Sequence, residues 1–197
     1  MQLNKTLVWI AMALTVVGGC ALPLKMDPPS APDLSQLKPF HRTAALCITQ
    51  ELRNYEYIIS TSPVDKMVYP IGDQTMQLFQ ACSTELFDKV VTIDSMTPSE
   101  QIDLILKPTI VKFDAKIPMP AYNPYTAEMI YQMEVFNSAG EKLFTQTAAG
   151  SGQTSKGMMS GFSARSICAQ VAQMAMKNAA KQIMEGVADS EELKDLK

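Results

Sequence analysis

The residues of this 197-residue chain that could do chemistry are few and scattered. There are four cysteines and one histidine. Cys20 follows Val17-Gly18-Gly19, and a thiol behind small residues is a nucleophile that a reactive group can approach. Cys47, Cys82 and Cys168 have no Cys-x-x-Cys spacing and no histidine partner nearby, so they do not read as a metal site. They read either as three small buried thiols or as one disulfide plus one free thiol. His41 is the one ring that could serve as a general base. It stands at the end of a proline-rich segment, where little would hold it in position. Ser35-Gln36-Leu37-Lys38 has a Ser-x-x-Lys spacing, but in that same segment and without companion motifs. Gly150-Ser151-Gly152-Gln153-Thr154-Ser155-Lys156-Gly157 looks at first like a phosphate loop. Such a loop needs glycine before the lysine and Ser or Thr after it. Here those places hold Ser155 and Gly157, so the segment reads as a plain connection between strand and helix. No catalytic residue, metal site or cofactor is assigned.

Cys20 gains meaning from what precedes it. Lys5 is followed by an apolar run from Leu7 to Val17, broken by Thr15 alone, then by Gly18 and Gly19. A basic start, a short apolar segment and small residues form the layout of a secretory signal. The run is too short to span a bilayer comfortably as a permanent helix. Val17-Gly18-Gly19-Cys20 resembles the bacterial lipobox. That resemblance implies that residues 1–19 are removed as a signal peptide and that Cys20 becomes a lipidated N-terminus. Ala21 resembles the residues that allow export to the outer membrane.

The remaining chain suits one domain of moderate size. The formal net charge is -3, and removing Lys5 makes it one unit more negative. Charges of both signs are scattered and no basic block suggests nucleic acid. Residues 20–42 carry Pro23, Pro28, Pro29, Pro32 and Pro39. Prolines forbid a helix and deprive a sheet of donors. The segment reads as a tether, which as a flexible coil would reach about 25 Å.

A single domain is expected over residues 43–188. Ala44 to Thr49 reads as a first strand, and Tyr55 to Ile59 as another extended piece. Pro70 and Asp73 start a helix, and Ile71, Thr75, Leu78, Phe79, Cys82 and Leu86 recur at helical spacing. Val90 to Ile93 is a short strand. Asp103 to Ile117 is a long strand with Val111, Phe113, Ala115 and Ile117 on its dry face, and Pro108 marks a bulge or edge. Ala127 to Phe136 and Lys142 to Ala149 follow, joined by the Asn137-Ser138-Ala139-Gly140 turn. Ala164 to Val187 is a helix whose stripe runs through Cys168, Ala172, Ala175, Ala179, Ile183 and Val187. Residues 189–197 form a charged tail expected to fray. The expected class is α+β, a mostly antiparallel sheet. It has a three-strand meander plus an N-terminal strand or strands, and two helices packed on one face. Cys82 and Cys168 then fall on adjacent inner stripes, so if a disulfide exists it joins that pair.

The meander places alternate connections at one end of the sheet. The loop holding Met119, Tyr122 and Tyr125 should therefore neighbour the one holding Met158, Met159 and Phe162. Methionine adapts to varied shapes and exposed apolar patches mark contacts, so these six residues are the expected partner-binding edge. The same side chains could instead fold back and cap the core.

The helix from Gly72 with Phe79 and Phe87 resembles a recurrent envelope domain. So do the Asp103-Leu104-Ile105-Leu106 strand start, the 137–140 turn and the alanine-rich last helix. That domain is shared by the TolB N-terminal domain, CsgG, YajG and LptE-type lipoproteins. The resemblance implies a non-enzymatic, lipid-anchored protein at the periplasmic face of the outer membrane. It would be held by the lipid on Cys20 and would act as an accessory or assembly factor for an envelope protein partner. Homo-oligomerisation, as in CsgG rings, is compatible with it. The alternative is an LptE-like lipid- or glycolipid-binding lipoprotein, which an apolar groove between helices and sheet would favour.

Overall fold

The computed structural model describes residues 21–60, 66–96, 101–118, 124–154 and 163–196. Its strands are β1 (Ala21–Pro23), β2 (Phe40–Cys47), β3 (Tyr57–Ser60), β4 (Lys66–Tyr69), β5 (Phe87–Ile93), β6 (Leu104–Lys116), β7 (Tyr125–Asn137) and β8 (Lys142–Thr154). Its helices are α1 (Gln50–Arg53), α2 (Ile71–Leu86) and α3 (Ala164–Asp189), followed by a 3-10 turn over Glu191–Leu196. Five strands form the main sheet in the order β5-β2-β6-β7-β8, and a small sheet has the order β1-β4-β3.

The expected mostly antiparallel sheet is corrected here: the main sheet is mixed. The meander β6-β7-β8 is antiparallel, but β2 pairs parallel with both β5 and β6. The cause lies between β2 and β5. The chain there passes through α2, and a crossover that packs a helix on the sheet brings the next strand back parallel. Parallel strands are covered on both faces and carry near-continuous apolar runs. Ala44, Ala45, Leu46, Cys47 and Ile48 are such a run, each 0% exposed. The open face that a purely antiparallel sheet would leave wet therefore has its own small cluster. Ala45, Cys47, Ile102 and Ile105 pack there with Val91, Ile93, Met96 and Phe136.

The helix-covered face holds the main core. The alternation of β7 sends Tyr125, Ala127, Met129, Tyr131, Met133 and Val135 inward. α2 meets them with Leu78, Phe79 and Cys82, and α3 with Val171, Ala175 and Ala179. Tyr131 links the layers. Its hydroxyl shares a 2.8 Å hydrogen bond with Thr75 Oγ1, and its ring meets Phe79 edge-on at 5.0 Å. A buried hydroxyl without a partner would cost about 1–3 kcal/mol, so this pairing is what permits a tyrosine there. Of the bulge or edge expected at Pro108, the structure gives the edge, and the bulge lies between Ile110 and Lys112. It turns Val111 outward, 54% exposed. Pro108 falls beyond Leu106, the last β6 residue paired with β2, so its missing donor leaves no ladder bond unmade.

Gly150 and Gly152 are packing residues. A Cβ at Gly150 would come within 2.3 Å of Ala175 O and Ala179 N, and one at Gly152 within 2.1 Å of Val171 O. The Gly-Ser-Gly run that resembles a phosphate loop thus lets α3 lie directly on β8.

The proline-rich segment is a strap rather than a tether. β1 pairs parallel with β4, and Leu24 N–H donates to Val68 O at 2.8 Å. Leu24 and Leu34 are each 4% exposed. Gln173 Nε2 donates to Asp27 O, and Lys177 Nζ to Ser30 Oγ, both at 2.6 Å. Prolines forbid regular structure but do not prevent an extended chain from burying its leucines. The tail is likewise pinned, by Leu193 at 0% exposure.

Cys47, Cys82 and Cys168 are free and buried, so the Cys82–Cys168 disulfide does not form here. The Cys168 thiol is engaged by the Tyr69 side chain instead. Burial raises all three thiol pKa values, that of Cys82 to about 12.

Two outcomes follow. Gly152→Ala should lower unfolding free energy by about 1–3 kcal/mol through overpacking, whereas Ser151→Ala, on the exposed face, should change it by less than about 0.5 kcal/mol; urea melts of both compare them. With Cys20 lipidated, a thiol reagent should find no reactive cysteine in the native protein and three after unfolding without reductant. Only one after unfolding would establish the disulfide.

Candidate functional site

The register of the meander decides which connections meet. Lys116 lies opposite Thr126, and Thr126 opposite Gln153. Tyr125 lies opposite Thr154. The chain therefore leaves β6 and β8, and re-enters β7, at one end of the main sheet. The Asn137–Gly140 turn is at the other end. It is closed by Gly140 N–H to Asn137 O at 3.0 Å, with Gly140 at φ 82°. α3 begins after Ser163, whose hydroxyl oxygen accepts from Ser166 N–H at 3.2 Å.

The sequence-predicted residues divide accordingly. Met119, Tyr122, Met158, Met159 and Phe162 lie outside the described residues, as does Cys20. Tyr125 is described, and it is not an exposed loop residue. It opens β7 on the inward phase and is 5% exposed, so it caps the core and offers no free contact surface. The structure does bring the roots of the two loops together.

The small sheet stands at this same end, which the sequence reading did not foresee. Tyr57 packs edge-on against Phe113 at 5.0 Å, and Tyr69 lies 5.5 Å from the same ring. Tyr57 Oη donates to Asp114 Oδ1 at 3.0 Å. Burial, then that hydrogen bond, pushes the Tyr57 hydroxyl pKa up. Burial and the Cys168 thiol push that of Tyr69 up much further. These groups are neutral anchors between the small sheet, β6 and the start of α3. Positions 57, 69 and 113 follow no period, so the sequence carries no signal that would bring them together.

Elsewhere, groups with chemical potential are spent on structure. His41 is not in a linker but on β2, with its side chain 79% exposed and Nδ1 3.2 Å from Asp88 Oδ2. Ser35 Oγ donates to Asp33 Oδ1 at 2.6 Å in an exposed turn. On the open face, Lys107 and Lys142 bracket Glu134 at 3.1 and 3.3 Å. Burial alone would raise the Glu134 pKa, but hydrogen bonds from both lysines hold it below the usual carboxylate range. Among the described residues no group of three or more His, Cys, Asp or Glu could hold a metal ion. Among them, too, no helix is long and apolar enough to cross a membrane.

No family model matches the chain, and no curated protein matches it. Among solved structures, a Xanthomonas campestris protein of family DUF330 is similar over 85% of this chain and 98% of its own, with TM-score 0.54 and 9% identity. A minor lipoprotein from Acinetobacter baumannii aligns over 76% of this chain and 92% of its own, with TM-score 0.42 and 8% identity. At these identities the first likeness is one of fold alone, and the second is too loose to add to it.

Proposed function

We propose that this chain is a non-enzymatic lipoprotein, anchored through lipid on Cys20 at the periplasmic face of the outer membrane. It serves there as an accessory or assembly factor and holds an envelope protein partner at the loop end of the main sheet. The anchor rests on the Leu7–Cys20 sequence pattern. The observation that carries the binding site is the register Lys116–Thr126–Gln153. It gathers the roots of two methionine- and aromatic-rich loops at one end, and such side chains adapt to a partner surface.

The lipid- or glycolipid-binding reading, in line with the LptE-type resemblance, calls for an apolar groove between helices and sheet. Along the described residues that space is filled. Leu78, Phe79, Met129, Tyr131, Met133, Ala175 and Ala179 are all 0% exposed. The protein-partner reading therefore has the better support.

Photoreactive residues at Tyr122 and Met159, with Lys112 on the exposed strand face as control, test this in living cells. A discrete protein adduct from both loop sites and none from Lys112 is expected. A lipid adduct from the loop sites would replace the partner reading with the carrier reading, and no adduct from either would remove the site. Metabolic labelling with a fatty-acid analogue should mark the native chain and not Cys20→Ser.

A further inference from the structure

The strap leaves no slack between the anchor and the domain. Position 20 is one residue from Ala21, and Ala21 is already paired with Lys66 in the small sheet. One residue spans at most about 3.6 Å. Lys66 is paired in turn with Ser60, so Ala21, Lys66 and Ser60 form one row across the end of that sheet. Beyond it the strap is fastened at Val68, then at Gln173, then at Lys177. It runs alongside α3 in the direction of the helix, so the anchored row lies at the N-terminal end of α3. The contacts of Tyr57 and Tyr69 with Phe113, and of Tyr69 with Cys168, place the small sheet at the loop end.

We infer that the small sheet is the membrane-facing surface of this protein. The domain stands on the bilayer by the N-terminal end of α3, with the Ala21–Lys66–Ser60 row at the level of the lipid headgroups. The inference rests on lipidation of Cys20. The surface chemistry suits it. Lys66 is exposed, and a lysine near anionic headgroups is attracted to them. Ile58, two pairing steps behind on the edge strand β3, is 54% exposed. It is a large apolar side chain that the described residues leave about half exposed. Lys116 is exposed at the same end. A partner held by the loop end is then met at the bilayer surface, rather than at the distance a free tether would allow.

The experiment uses full-length lipidated protein in vesicles of phosphatidylethanolamine and phosphatidylglycerol that carry a headgroup nitroxide. A fluorophore is placed on Ile58→Cys, on Lys66→Cys or on Asp189→Cys; the buried native thiols should not compete. Asp189 is about 30 Å farther along α3 than Cys168, at 1.5 Å per residue. Quenching at positions 58 and 66 should exceed that at 189 by at least about threefold if the first two lie in the headgroup zone. Weak and equal quenching at all three positions, in protein that floats with the vesicles, would overturn the inference and leave the anchor intact. If Cys20→Ser protein floats equally well, the lipid-anchor reading itself fails. A strap-releasing variant, Leu24→Asp, gives a second measure. Loss of quenching at 58 with flotation retained supports the strap as the orienting device, and unchanged quenching counts against it.

Discussion

The contact on which most of this structure depends is the close approach of α3 to β8. Gly150 and Gly152 offer no side chain toward the helix, and Ala175 and Ala179 offer almost none in return. With backbone against backbone, α3 comes near enough for its stripe to close over the large β7 side chains Met129, Tyr131 and Met133. Interiors pack at crystal-like density, so a methyl group introduced at that contact must move one layer relative to the other. The layer that would move also carries Gln173 and Lys177, which hold the strap, and Cys168, which engages Tyr69 of the small sheet. The position of the N-terminal segment is therefore set by two glycines far along the sequence.

A second dependence runs through β2. Its residues Ala44 to Cys47 are covered on both faces, and both edges are paired, with β5 and β6. The helix-side face is closed by α2 and the 3-10 turn, and the other by the cluster around Ile102, Ile105 and Phe136. The chain can afford no polar side chain there, which is why the run is unbroken. Thr75 enters the interior with a partner, the Tyr131 hydroxyl.

Some of this was legible in the residues. The β7 alternation from Ala127 to Val135 and the α2 spacing from Ile71 to Leu86 are strong periodic signals, and both elements lie where those signals put them. The juxtaposition of the two loop roots followed from meander topology alone. Other features were hidden for physical reasons. Ile110 and Val111 are both apolar, so periodicity could not show that an extra residue between β6 and β7 turns Val111 outward. Ala44 to Ile48 reads as buried but not as parallel, because strand direction depends on the crossover rather than on the strand. Strands as short as β1, β3 and β4 carry no period. The five prolines from Pro23 to Pro39 suggest a solvated spacer, yet the decisive residues are Leu24 and Leu34 between them. Tyr125, beside Pro124, could not be separated by type from a loop aromatic; only its inward phase in β7 makes it a core residue.

Among the described residues, the groups with chemical potential are used to hold the fold. The thiols are buried with raised pKa values, which disfavours the thiolate that does nucleophilic chemistry. The Tyr57 and Tyr69 hydroxyls are held neutral and serve as anchors. Glu134 is fixed in its charged form between two lysines, and a general acid needs the opposite tuning. His41, the one imidazole in the chain, is open to water beside Asp88, where it has an orienting carboxylate but no walls. What the fold does arrange with care is position. The start of the strap, the small sheet, the start of α3 and both loop roots are brought to a single end, and that end is the one next to Cys20.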